Sequence, residues 1–113
     1  MKTLELWKLG DKHVENFKGV FPLDTIPPNL KAPANFIVNT HTRNLPGEHW
    51  IAISYQKGGI VYAFDPFGWY YPQRLKKYLI KLRPNRIFYN KLQFQGFLER
   101  TCGHYCIAWL TSL

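Results

Sequence analysis

The chain has 113 residues, of which 46% are hydrophobic and 17% aromatic, so it suits one small folded domain and is not disordered by composition. Fifteen Lys and Arg against seven Asp and Glu give a formal charge of +8, which attracts polyanions without defining a binding site. No apolar run approaches the roughly 18 residues of a membrane span, and the N-terminal residues do not fit a secretory signal. We therefore expect an intracellular protein that is neither secreted nor membrane-bound.

The first third of the chain is predicted to be largely irregular. Four prolines interrupt it: Pro22, Pro27, Pro28 and Pro33. Because proline breaks long regular elements, residues 1–34 are expected to hold at most a short helix near Asp11 to Phe17. The β-branched and aromatic residues of Asn35 to Thr40 then predict a strand.

A β-hairpin is predicted in the middle of the chain. Trp50 to Tyr55 and Gly59 to Phe64 are strand-like runs separated by a short glycine-containing turn. If these strands pair antiparallel, the residue before the first and the residue after the second meet at one end of the ladder. Those residues are His49 and Asp65, so the hairpin predicts an imidazole next to a carboxylate.

An amphipathic helix follows the hairpin. Proline suits its first position at Pro72, apolar residues recur at helical spacing up to Leu82, and Pro84 prevents continuation. Its other face is basic and is either a solvated surface or a polyanion-binding surface: Arg74, Lys76, Lys77 and Lys81. A strand is predicted over Arg86 to Phe94.

The last element is a helix that begins at a cysteine. A thiol in the first turn meets unpaired backbone N–H groups and the positive end of the helix dipole, which favour the thiolate of Cys102. Cys106 lies one turn further on the same side, which indicates a structural thiol in a reducing compartment rather than a disulfide. His104 is rotated about 200° from Cys102 and is a poor base for it. No metal site is predicted, because this Cys-x-His-x-Cys spacing does not converge on one face.

Together these elements predict an α+β fold with a small, mostly antiparallel sheet packed on the Cys-bearing helix. Four motifs then resemble the adenovirus-type cysteine proteases (adenain), which are related to the SUMO-specific proteases: residues 47–50 (Gly-Glu-His-Trp), 64–68 (Phe-Asp-Pro-Phe-Gly), 95–96 (Gln-Gly) and 102–103 (Cys-Gly). The resemblance covers about residues 35–106 and implies a papain-like fold. It also implies that residues 1–113 form one minimal domain of this type.

The resemblance assigns roles residue by residue. It implies that Cys102 is the nucleophile, His49 the general base and Asp65 the residue that orients the base. It also implies an oxyanion hole formed by the side chain of Gln95 and the backbone N–H of Cys102. Trp50 either walls the cleft beside the histidine or packs in the core as a strand aromatic.

The implied function is a cysteine endopeptidase that cleaves after small or glycine-rich sequences in viral or mobile-element proteins, such as capsid or core precursors. Host cytoplasm, host nucleus and virion are the expected locations. The chemistry needs no cofactor, while DNA or a peptide is a candidate activator. Two alternatives stay open: an inactive basic module for nucleic-acid binding or assembly, and an isopeptidase acting on ubiquitin-like modifiers.

Three departures from the family pattern bear on these expectations. The orienting carboxylate is Asp65 where the adenoviral enzymes have glutamate, a change that the SUMO-protease branch shares. Ile87 occupies the position of a cysteine that pairs with an activating peptide, which argues against that mode of activation. The chain also ends eleven residues after Cys102, so apolar surface on the last helix is expected to be exposed and to favour oligomers.

Overall fold

A computed structural model describes residues 3–40, 49–66, 68, 71–90 and 102–113, with the backbone alone described at Cys102. These residues form an α+β fold. Its helices are α1 (Thr3–His13), α2 (Gln73–Lys81) and α3 (Cys102–Thr111). Its strands are β1 (Phe17–Pro22), β2 (Ala34–Asn39), β3 (Trp50–Gln56), β4 (Ile60–Phe64) and β5 (Arg86–Tyr89). No helix in these ranges is long and apolar enough to cross a bilayer.

The sheet is mixed, whereas the sequence predicted a mostly antiparallel one. Among the described residues it has five strands in the order β1-β2-β3-β4-β5. The hairpin β3–β4 and the pair β2–β3 are antiparallel, whereas β1–β2 and β4–β5 are parallel. The parallel pair β4–β5 follows from the intervening helix α2, since a helical crossover returns the chain in the same direction.

The prediction that residues 1–34 are largely irregular was wrong. Helix α1 ends at His13, well before the first proline at Pro22, so the prolines never interrupt it. Strand β1 follows and contains Gly19, which has a positive φ of 139° and lies at a register irregularity against β2. A strand that contains a glycine and ends on proline has a weak sequence signal, which explains why it was missed.

Helices cover both faces of the sheet. Helices α1 and α3 pack side by side on one face, where they share a core with the sheet: Leu6, Val14, Val20, Ile37, Trp50, Ala52, Phe64, Cys106, Ile107 and Leu110. Helix α2 packs on the opposite face and buries Leu75 and Leu79 against Phe36, Ile51 and Ile53. The sheet is therefore the central layer, and α3 lies against β3.

Four residues just beyond the strands lie at one end of this sheet. Thr40 follows β2, His49 precedes β3, Asp65 follows β4 and Asn90 follows β5. Because β3 runs antiparallel to β2 and β4, the end of β2, the start of β3 and the end of β4 lie at this end of the sheet. The parallel pairing of β5 with β4 brings Asn90 to the same end.

Candidate active site

His49 and Asp65 are in direct contact at this end of the sheet. Nε2 of the imidazole lies 2.9 Å from Oδ1 of the carboxylate. The side chains are 4% and 0% exposed, so little water competes for the interaction. A buried carboxylate beside one ring nitrogen fixes the ring's orientation and stabilises its protonated form.

The register of the hairpin accounts for this contact. Ala52 pairs with Phe64, so the continued register places Asp65 opposite Ile51, two residues from His49. Residues in this diagonal relation lie on the same side of a ladder, and their Cα atoms are close enough for long side chains to meet. The adjacency that the sequence predicted from the hairpin is therefore present in the structure.

The backbone of His49 is held from the neighbouring strand β2. Its carbonyl oxygen accepts a hydrogen bond from the N–H of Thr40 at 2.9 Å. The hydroxyl of Thr40, which is itself 2% exposed, donates to the same oxygen at 3.3 Å. These bonds fix the position at which the chain enters β3.

The backbone of Asp65 is held from the other side by Asn90. The Asp65 N–H donates to Oδ1 of Asn90 at 2.7 Å, and Nδ2 of Asn90 donates to the Asp65 carbonyl at 2.7 Å. The sequence did not predict a role for Asn90. The pairing of β5 with β4 brings it beside Asp65, and no local sequence motif predicts that pairing.

Tyr71 is a further residue that the sequence did not single out. Its hydroxyl accepts from the Asp65 N–H at 3.1 Å and contacts Oδ1 of Asn90. The carbonyl oxygens of Ala63 and Asn90 also lie 3.2 Å from it. Burial, as the largest cause, raises the pKa of Tyr71 well above its ordinary value. The phenol therefore stays protonated and can donate throughout the neutral pH range.

The course of α3 places the backbone of Cys102 at the same end of the sheet. The thiol of Cys106 donates to the Trp50 carbonyl at 3.4 Å, whereas Leu110 lines a pocket with Ser54. The helix therefore runs along β3 from its first residue towards its last. One helical turn before Cys106, about 5 to 6 Å further along the axis, the chain extends past Trp50 towards His49.

The remaining predicted site residues have different surroundings. Trp50 is 2% exposed and packs in the core between the sheet and α3, which is the second of the two positions considered for it. His104 is exposed. Gln95 and the side chain of Cys102 lie outside the described residues, so their catalytic roles remain predictions.

The basic face of α2 lies on the side of the sheet away from α3. Arg74, Lys77 and Lys81 are exposed. Lys76 is partly buried, and its Nζ lies 5.9 Å from the centre of the Tyr89 ring. This surface is therefore spatially separate from the core that contains Cys106 and Trp50.

Comparison with known proteins agrees with this arrangement. The family model described as adenovirus endoprotease matches residues 17–113. The protease of bovine adenovirus C serotype 10 is 31% identical over 116 aligned residues, covering 90% of this chain and 54% of that protein. The protease of avian adenovirus 8 is 35% identical and covers 82% and 41%, respectively. The protease of fowl adenovirus A serotype 1 is 42% identical and covers 54% and 31%.

The chain belongs to the adenovirus endoprotease family, because the family model spans most of its length. It covers about half the length or less of the relatives it matches. The matched region includes His49, Asp65, Gln95 and Cys102.

Proposed function

We propose that this chain is a cysteine endopeptidase with a papain-like arrangement, in which Cys102, His49 and Asp65 act as the catalytic triad. The observation that carries the proposal is the buried contact between His49 Nε2 and Asp65 Oδ1. It is supported by the direction of α3, which brings the backbone of Cys102 to the same end of the sheet. Membership of a family whose relatives are named proteases supports the same reaction class.

The contact assigns different roles to the two ring nitrogens of His49. With Nε2–H donating to Asp65, the neutral ring carries its lone pair on Nδ1. Nδ1 then accepts the proton of the Cys102 thiol, and the resulting imidazolium is stabilised by the carboxylate of Asp65. The first turn of α3 supplies backbone N–H groups that stabilise the thiolate.

The reaction follows from these roles. The thiolate of Cys102 attacks the peptide carbonyl carbon, and the charge moves to the carbonyl oxygen. The N–H of Cys102 and the amide of Gln95 stabilise this oxyanion, a contribution of about 3 kcal/mol for one donor. Collapse breaks the C–N bond, and His49 gives its proton to the departing amine. Water, deprotonated by His49, then hydrolyses the thioester and releases the acid with the thiol restored.

The proposed substrates are proteins with small or glycine-rich residues before the scissile bond, such as viral capsid or core precursors, processed in the infected cell or the virion. An isopeptidase would use the same chemistry on a branched amide. An inactive assembly module has no need for a buried imidazole–carboxylate pair, so this contact favours the enzyme.

Thiol labelling tests the proposed nucleophile. We expect an iodoacetamide-type reagent at pH 6 to modify Cys102 at least tenfold faster than a model thiol, since the imidazolium holds it as thiolate. His49→Ala should abolish the excess rate. The matched control is Cys102→Ala, which leaves only Cys106, a residue with 0% exposure that should not react in the folded protein.

Cleavage of a glycine-containing peptide tests the reaction itself. Cys102→Ala should abolish turnover, whereas Cys106→Ala should retain it if the variant remains folded by circular dichroism. Labelling of Cys102 at the rate of a free thiol, or full activity in Cys102→Ala, would refute the proposed mechanism. Cleavage of a lysine-branched amide but not of a linear peptide would instead identify the isopeptidase.

A further inference from the structure

At the end of β5, the side chain of Asn90 forms hydrogen bonds with the backbone of Asp65, beyond the last backbone bond between β5 and β4. The N–H of Asn90 still donates to the Ala63 carbonyl at 3.2 Å, as a continuation of the parallel pairing. Beyond that point the amide side chain of Asn90 bonds both polar backbone groups of Asp65, each at 2.7 Å. Asp65 lies outside β4, yet its backbone is paired almost as it would be within a ladder.

Directly after Asp65 the chain turns away from the sheet. Pro66 is the next residue, and the Gly68 N–H donates to the Asp65 carbonyl at 2.8 Å, so Asp65 is the last residue before the turn. The reach of an aspartate carboxylate is limited by its backbone and two side-chain torsions. Fixing the backbone of Asp65 therefore narrows the positions from which its carboxylate can contact His49.

Tyr71 supports the orientation of the Asn90 amide. The Asp65 N–H requires an acceptor, which the amide oxygen provides and the amide nitrogen cannot. The hydroxyl of Tyr71 contacts Oδ1 of Asn90, and that oxygen also accepts from the Asp65 N–H. The Tyr71 ring is itself packed edge-on against Tyr89, with ring centres 4.7 Å apart. The oxygen is thus held towards the N–H, and the nitrogen towards the Asp65 carbonyl.

We propose that Asn90, oriented by Tyr71, is a positioning residue that aims the Asp65 carboxylate at Nε2 of His49. The inference rests on the proposed function for its catalytic consequence, while the geometry that it predicts can be measured in the absence of substrate. Asn90 does not touch the reacting atoms; it acts through Asp65. His49 and Tyr71 are two titratable groups that contact Asp65.

The experiment compares Asn90→Ala with Asn85→Ala. Both asparagines flank β5, and Asn85 makes the same kind of bond from its side chain, Nδ2 to the Gly58 carbonyl at 2.7 Å, at the opposite end of the strand. Asn90→Ala removes two side-chain-to-backbone bonds to Asp65, and Asn85→Ala removes one to the turn of the same hairpin. Only Asn90→Ala should disturb the contact between His49 and Asp65.

The first readout is the proton on His49 Nε2 in ¹⁵N-labelled protein. A buried N–H that donates to a carboxylate exchanges slowly and gives a downfield proton resonance, which His49→Gln identifies by its loss. We expect this signal in the unmodified protein and in Asn85→Ala, and its disappearance or broadening in Asn90→Ala. Tyr71→Phe, which keeps the ring but removes the hydroxyl, should broaden the signal to a smaller extent than Asn90→Ala does.

The second readout is hydrolysis of a glycine-containing peptide. Asn90→Ala should lower kcat about tenfold with KM changed less than twofold, because the loss lies in imidazolium stabilisation and not in substrate binding. An unchanged Nε2–H signal in folded Asn90→Ala, or in Tyr71→Phe if the first variant does not fold, would overturn the inference. If Asn90→Ala loses the signal while the unmodified protein does not hydrolyse the peptide, the positioning role is supported and the proposed function is refuted.

Discussion

A carboxylate with no solvent exposure is costly to bury unless its charge is met by a partner. Asp65 meets that condition through Nε2 of His49, 2.9 Å away, and its backbone groups are bonded by Asn90. Removing one member of such a pair leaves an uncompensated group in the interior, which destabilises more than the pair itself contributes. At the scale of single residues, a test of Asp65 must therefore remove its charge while keeping the shape of its side chain.

Asp65→Asn makes that separation. The amide has nearly the same shape but no charge, so we expect the fold to persist and kcat of peptide hydrolysis to fall by about 10² to 10⁴, as for triad carboxylates in general. Asp24→Asn is the control, since it makes the same chemical change at an exposed position. Steady-state kinetics on both variants give the answer. Equal kcat values for Asp65→Asn and Asp24→Asn would show that Asp65 is not required and that a Cys–His pair performs the reaction.

The sequence predicted the His49–Asp65 contact because the information is local. Two strand-like runs and a glycine-containing turn suffice to bring together residues sixteen apart in the chain. Asn90 and Tyr71 could not be predicted in this way, because their positions depend on β5 returning parallel to β4 through α2. The role of Gln95 remains a prediction from family resemblance, and the role of the Cys102 side chain remains a prediction from that resemblance and from its place in the first turn of a helix.

At the scale of elements, α1 explains how the apolar side of α3 is covered. The sequence predicted exposed apolar surface on the last helix, yet Cys106, Ile107 and Leu110 are buried in a core shared with Leu6 and Val14. The helix that supplies this cover was not predicted, because the prolines further along the chain indicated an irregular N-terminal region. Helix α1 ends before these prolines, so they do not prevent it from forming and packing its apolar residues against the core.

Helix α1 should therefore stabilise the packing of α3. Leu6→Ala removes a side chain with 0% exposure and should lower the free energy of unfolding by about 2 to 5 kcal/mol. Leu4→Ala is the matched control on the same helix, since Leu4 is 66% exposed and its truncation should change stability by no more than about 0.5 kcal/mol. Urea denaturation measures both. Similar losses in the two variants would show that α1 does not pack as described.

At the scale of the whole molecule, the basic helix α2 and the Cys-bearing helix α3 lie on opposite faces of the sheet. The sequence predicted the basic helix and the α+β class, but it predicted a mostly antiparallel sheet. Local patterns identify strands without identifying their partners, so the parallel pairs at both edges were not accessible to it. The exposed cations Arg74, Lys77 and Lys81 can be neutralised while Lys76 is kept, whose Nζ lies 5.9 Å from the Tyr89 ring. Tyr89 packs on Tyr71, which contacts Asp65, so Lys76 is the basic side chain of α2 connected to the site.

A charge-matched comparison tests whether α2 binds a polyanion such as DNA. One triple variant neutralises the exposed cations of α2: Arg74→Gln, Lys77→Gln and Lys81→Gln. The control removes the same charge from the α1–β1 region: Lys8→Gln, Lys12→Gln and Lys18→Gln. Both lower the formal charge from +8 to +5, so long-range attraction falls equally and only direct contacts differ.

Each phosphate contact contributes about 0.9 to the slope of log affinity against log salt concentration for duplex DNA. If α2 is the contact surface, its triple variant should reduce that slope by about 2 to 3, whereas the control should leave it nearly unchanged. Fluorescence anisotropy with a labelled duplex, titrated at several salt concentrations, measures the slope. Equal reductions in the two variants would mean that the charge acts only as a diffuse field. A binding constant insensitive to salt would exclude polyanion binding by this surface.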